Sequence, residues 1–113
     1  MLPAANRLRS SKDFARITKT GYRTTSPTLV LYATTKDGQE VGPQVGLIIN
    51  KSVGGSVTRH RIARQLRHGI KEHLELFPAS VQIVVRVLRP RDAYQTELAD
   101  LATKLSQKFL VSA

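Results

Sequence analysis

An α+β fold, with helices packed against a small mixed sheet, is predicted by three observations. Residues 57–77 and 93–110 repeat apolar residues at three- and four-residue spacing, as amphipathic helices do. Residues 28–35, 45–50 and 81–88 are short runs rich in β-branched and apolar residues, bounded by turn formers. These segments, with a short first helix, follow the order α-β-β-α-β-α along a chain of 113 residues. That length suits a single domain, 1–113, with one layered core.

Each element has a local reason. Residues 11–20 read as a helix, with Ser10 or Ser11 as its cap and Gly21 as its stop. Phe14, Ile17 and Thr18 share one side of it. TLVLYATT, residues 28–35, reads as a strand, and Lys36-Asp37-Gly38 as a turn. VGLIIN, residues 45–50, reads as a second strand, and an extra strand is expected near Glu40. Residues 52–55 form a loop, with Ser56 capping the long helix 57–77 that Pro78 ends. VQIVVRVL, residues 81–88, reads as a buried strand halted by Pro90. In the last helix Leu98, Leu101, Ala102, Leu105 and Phe109 form the apolar stripe.

Charge narrows the function. Eighteen Lys and Arg against eight Asp and Glu leave a net charge of +10. So large an excess on a short chain points to a polyanion partner, nucleic acid before anionic membrane. The absence of Cys removes disulfides and thiolate metal sites and fits a reducing compartment. Asn6-Arg7-Leu8-Arg9 follows Met1-Leu2-Pro3-Ala4 without an apolar run, so no secretory leader is expected. No stretch approaches the ~18 apolar residues of a membrane span. A soluble, cytoplasmic protein is expected.

The central helix carries the sharpest signal, in SVTRHRIARQLRHGIKEHL, residues 56–74. At ~100° per residue, Ile62, Ala63, Leu66, Ile70, Leu74 and Phe77 converge on one face. Arg61, Arg64, His68 and Lys71 take the opposite face, and His60 and Arg67 one border. Surface helices commonly carry a charged, solvated face. Here, however, the first turns hold Arg59 and Arg61, where the helix dipole disfavours cations by ~0.3–1 kcal/mol each. Positive charge beside free helical N–H groups suits a phosphate. Gly54-Gly55 lacks the Lys and hydroxyl of a nucleotide-binding GxxxxGK[ST] loop, so no nucleotide cofactor is expected.

NKSVGGSVTRHRIARQLR, residues 50–67, resembles the signature of the bacterial ribonuclease P protein subunit, a Lys-rich, Gly-containing loop leading into an Arg-Asn-Arg helix. NRLRSSKDFARITKTG resembles that family's opening, LVLYATT its first strand, VGLIIN the strand before the signature, and VVRVLRP its strand ending in Arg and Pro. The resemblance spans nearly the whole chain and rests on order and spacing. It implies a two-layer sandwich like the ribosomal α/β proteins, with a left-handed βαβ crossover, against the usual right-handed rule. It also implies a function. A partner ribonuclease P RNA cuts the 5′ leader from precursor tRNA with Mg²⁺, and the protein binds that RNA and the leader.

Carried over by position, the resemblance makes Lys51, Arg59, His60, Arg61 and Arg64 contacts to the catalytic RNA. It makes Phe14, Tyr32, Arg67 and Arg86 the leader-binding cleft, where bases stack on aromatic rings. Arg7, Arg9, Lys71 and Arg89 are candidates for further RNA contacts. Ordinary core packing is the alternative for Phe14, while the Tyr32 hydroxyl suits a wet edge. The chain departs from the pattern at His60 (usually Asn), at Gly55-Ser56 (usually Asn-Ala), at Ala63 (commonly Lys) and at Thr18 (commonly aromatic).

No catalytic or metal-binding residues are expected in the protein itself. The acids are scattered, and His60, His68 and His73 share no i,i+4 spacing. The competing reading is a structural RNA-binding protein of ribosomal type. A peripheral membrane role is disfavoured, because the apolar helix faces are committed to a core.

Overall fold

A computed structural model describes residues 6–8, 10–36 and 42–110. Among them are three helices and four strands, in the order α1 (Ser11–Thr20), β1 (Tyr22–Thr25), β2 (Leu29–Thr35), β3 (Gln44–Ile48), α2 (Ser56–Lys71), β4 (Val81–Val87) and α3 (Gln95–Leu110). The strands form one mixed sheet, ordered β1-β2-β4-β3. β1 pairs with β2, and β2 with β4, antiparallel; β3 pairs with β4 in parallel, joined through α2.

The pleat divides the sheet residues between two faces. Leu29, Leu31, Ala33, Val45, Val81, Ile83, Val85 and Val87 meet Ile62, Leu66 and Ile70 of α2 and Leu98, Leu101, Ala102 and Leu105 of α3. This is the main core, and the predicted stripes of both helices supply it. Phe109 packs against it partly buried, edge-on to Phe77 and Tyr22. On the far face Val30, Tyr32 and Val84 meet Leu8 and Ile17, with Phe14 and Ile48 at the margin.

α1 is tied to that far face. Ser10 caps it, its hydroxyl accepting the Asp13 N–H at 3.5 Å. Gly21 closes it where an added Cβ would lie 2.6 Å from the Ile17 carbonyl oxygen and 2.8 Å from that of Ala33, so the stop needs glycine. Arg16 reaches down to the fully buried Gln82, which in turn donates to Gln44 Oε1 at 3.1 Å. Arg16 and Lys36 also pair with Asp13 at 3.3 and 3.5 Å.

Burial by itself would raise the Asp13 pKa, but the Arg16 hydrogen bond and the Lys36 charge outweigh it and hold the carboxyl below its ordinary value. A depressed pKa contributes stability above the unfolded value of ~3.9, lost as pH falls through the folded value. Wild type is therefore expected to melt above Asp13→Asn at neutral pH, with the gap closing in acid below about pH 3.9. Thermal melts across that range check this, and a gap that persists in stronger acid counts against it.

The structure corrects three local expectations and leaves one outside its described residues. Tyr22–Thr25 is a strand that sequence periodicity does not predict. The strand expected near Glu40, and the Asp37-Gly38 turn, lie outside the described residues. α2 stops at Lys71, and a 3-10 turn, Leu74–Leu76, carries the chain on to the buried Phe77. The limit is geometric: sixteen helical residues span ~24 Å, and the seven residues of β4 span ~23 Å. A longer helix would overrun the sheet. Finally, Gly55 and not Ser56 is the N-cap of α2, because Arg59 N–H already bonds the Gly55 carbonyl at 2.9 Å.

Candidate nucleic-acid interface

Residues 41–71 contain no Asp or Glu. Among the described residues, Glu97 and Asp100 are engaged away from this stretch. Glu97 takes Ser26, Thr28 and Arg91, and Asp100 takes Lys104 at 3.1 Å. On α2, His60, Arg61, Arg64, Arg67, His68 and Lys71 are all exposed. Arg61, Arg64, Arg67 and Lys71 form no ion pair among the described residues; the helix has only His68 beside Glu72 at 3.9 Å, both widely exposed. A row of unneutralised cations on one face is an electrostatic footprint for a polyanion.

The start of α2 strengthens this. No side chain caps it, and its first turn holds no acid. Lys51, exposed in a 3-10 turn (Lys51–Val53), precedes it. An added Cβ at Gly55 would meet nothing within 4 Å, so the space ahead is open. Bare N–H groups and nearby cations together favour an anion there. Arg59 differs from its neighbours. It is half-buried, and its Nε donates to the Gly54 carbonyl at 3.1 Å. It therefore clasps the loop to the helix as well as adding charge.

The predicted cleft residues do not all meet. Phe14, Tyr32 and Arg86 share the far face of the sheet. Arg86 stands in a cross-strand row with Val30 and Ile48. The Phe14 ring lies over Gly46, where an added Cβ would collide with Cζ. Tyr32 is only 8% exposed among Leu8, Ile17, Val30 and Val84. It offers a rim rather than an open ring face, so a base cannot stack broadly on it. Arg67 lies with His60, Arg61, Arg64 and His68 along the outer side of α2. Gln65 turns toward α3, donating to the Asp92 carbonyl at 3.1 Å. Helical geometry puts Ala63 and Arg67 on the opposite flank, and the strand order makes that the β3 side. Arg67 is thus a border residue between the two surfaces, not a neighbour of Tyr32.

Of the further candidates, Lys71 and Arg89 are exposed. Arg7 forms a bridge beside Val45 on the β3 edge. Arg9 lies outside the described residues. The sequence does not single out Arg23, which is exposed on β1 directly opposite Tyr32. Cross-strand partners share a face, so Arg23 and Arg86 supply the cations beside Tyr32 and Val30. Tyr22 and the paired threonines of YRTT are the strand-forming signal around it. Among the described residues no three His, Asp or Glu come together as a metal site, and no helix is long and apolar enough to cross a membrane.

Fold and charge together define a small basic α+β protein with one face open to a polyanion and a second, half-covered apolar face edged by arginines. The family model for Ribonuclease P matches residues 2–110. The chain is 39% identical over 107 residues to the ribonuclease P protein component of Acidothermus cellulolyticus, covering 95% of this chain and 88% of that one. It is 44% identical over 95 residues to that of Mycolicibacterium gilvum, covering 82% and 77%. The RNase P protein of Staphylococcus aureus superposes with a TM-score of 0.66 at 23% identity, covering 93% of this chain and 89% of that one. That of Thermotoga maritima gives 0.61 at 22%, covering 92% and 91%; these two likenesses show the fold. The chain belongs to the ribonuclease P protein family, whose place is in tRNA 5′ processing.

Proposed function

We propose that this subunit grips the ribonuclease P RNA along α2 and the 5′ leader of precursor tRNA on the far face of the sheet, and that the RNA performs the cut in the cytoplasm. The observation that carries the proposal is the segregation of two unlike surfaces. α2 presents unpaired cations suited to a folded RNA backbone. The far face presents apolar and aromatic rims, with Arg23 and Arg86 beside them, which suits a single strand. The described residues offer no grouping that fits Mg²⁺, so in this proposal the ion sits on the RNA.

The protein alone is accordingly expected to leave precursor tRNA intact. Added to a bacterial ribonuclease P RNA, it should stimulate cleavage most when Mg²⁺ is scarce, because its cations replace diffuse counterions. Reconstitution across a Mg²⁺ series tests this. Cleavage by nuclease-free protein without RNA, or stimulation that grows with Mg²⁺, would overturn it. RNA binding with no stimulation at any Mg²⁺ would instead favour the ribosomal-type structural role.

A further inference from the structure

A cavity of about 170 Å³ opens between α2 and the start of α3, lined by Gln65, His68, Gly69, Glu72, Tyr94 and Leu98, with Ala93 and Gln95 at the α3 end. At ~30 Å³ of liquid volume per water it would hold roughly six waters, too large a space for one bridging water to fill. It is smaller than the ~300 Å³ at which drug-sized pockets begin. A single flat heterocycle matches that range.

Its chemistry asks for a donor. Gln65 Oε1 is buried and has no hydrogen-bond partner. The amide cannot usefully be flipped, because its Nε2 already donates to the Asp92 carbonyl at 3.1 Å. A buried acceptor left unmet is costly. Glu72 adds a second acceptor at the rim, while Leu98 and the Tyr94 ring give apolar walls. Tyr94 is held in place, since its hydroxyl donates to the Arg89 carbonyl at 3.0 Å and accepts the Arg91 N–H at 2.8 Å.

The cavity also adjoins the cationic row. Gln65 and His68 line both it and the outer depression of α2 that Arg61 and Arg64 border. The charges of Arg61 and Arg91 reach the Tyr94 hydroxyl. An RNA backbone lying on Arg61 and Arg64 would pass its mouth. Unstacked RNA bases are commonly read in such pockets by their exposed edges.

We infer that the cavity receives one extruded nucleobase of the bound RNA, whose exocyclic amino group donates to Gln65 Oε1. The inference rests on the reading that α2 binds RNA. Adenine, cytosine and guanine each carry an exocyclic amino group; uracil has none and presents a carbonyl where cytosine has its amino group.

Cytidine and uridine make a matched pair of probes. Titrated into ¹⁵N-labelled full-length protein, cytidine should move the Gln65 side-chain amide and the Gly69 N–H, and uridine should leave both in place. Equal shifts with both nucleosides would show that no amino donor is read, and no shift with either would show a cavity that holds only water; each result sinks the idea. In the complex, Ala93→Phe should plug the cavity from its exposed rim. It should weaken binding to ribonuclease P RNA by roughly 5–150-fold, the range for excluding a single base from its site. The salt slope should not change, since every phosphate neighbour of α2 is kept. Gln65→Met, which keeps length but removes the acceptor, should weaken binding in the same direction, and it serves if the plug perturbs folding. Unchanged affinity in both folded variants overturns the pocket. Arg64→Ala in the same assay keeps the two failures apart. A normal slope change there, with silent cavity variants, rejects the pocket and leaves the α2 reading standing.

Discussion

Replacing Arg61 and Arg64 together with Ala should flatten the salt dependence of ribonuclease P RNA binding by roughly 1.4–1.8 in log K against log[salt], about 0.7–0.9 for each phosphate no longer neutralised. Both side chains are exposed and neither has an ion pair to lose among the described residues. Neither belongs to the main core. The double variant should therefore melt within the usual surface range of about ±0.5 kcal/mol. Arg59→Ala should behave differently, losing stability as well as affinity, because Arg59 holds the Gly54 carbonyl. Salt titrations of the folded variants measure both effects. An unchanged slope in the Arg61/Arg64 variant would mean that this face is merely solvated.

How much of the fold and site is legible in the sequence depends on whether the deciding interactions are local. The stripes of α2 and α3 are legible, because Ile62, Leu66, Ile70 and Leu98, Leu101, Leu105 recur at helical spacing and all are buried. The cap of α1 is legible for the same kind of reason, lying within four residues of what it caps. β1 is not. YRTT has no alternation of apolar residues, and it becomes a strand through pairing with β2 and the Thr24 hydroxyl bonded to the Leu101 carbonyl at 3.3 Å. The end of α2 is hidden because the apolar spacing runs on through Leu74 and Phe77. The length of the sheet, a distant fact, stops the helix first. Tyr32 shows the same limit within the site. Alternation along β2 assigns its face, but its depth depends on Leu8 and Ile17, which arrive from other elements. The α2 cations are legible because they lie on one helix. Arg23 is not, because only strand pairing brings it to Tyr32.

That burial changes how the leader face should be tested. Tyr32→Ala, the substitution the sequence suggests, would empty a space in the second core. Large aromatic truncations of that kind typically cost ~3–5 kcal/mol of stability, which would blur any binding effect. Phe14 is the better probe, being partly exposed and laid over Gly46. Phe14→Ala should weaken holoenzyme binding of precursor tRNA by ~1–3 kcal/mol, the stacking range for one base. Mature tRNA, which has no leader, should bind as before. Affinity for the ribonuclease P RNA should also survive, since α2 is untouched. Gly46→Ala offers a second route to the same end. Its new Cβ would collide with Phe14 Cζ, so the ring must leave its place. Tyr32→Phe keeps the core and removes only the hydroxyl. If that hydroxyl bonds the leader, precursor binding should fall by the ~0.5–1.5 kcal/mol of a single hydrogen bond. The decisive measurement is the ratio of precursor to mature tRNA affinity for each variant. Equal weakening of both substrates by Phe14→Ala would make Phe14 a packing residue and move the leader off this face.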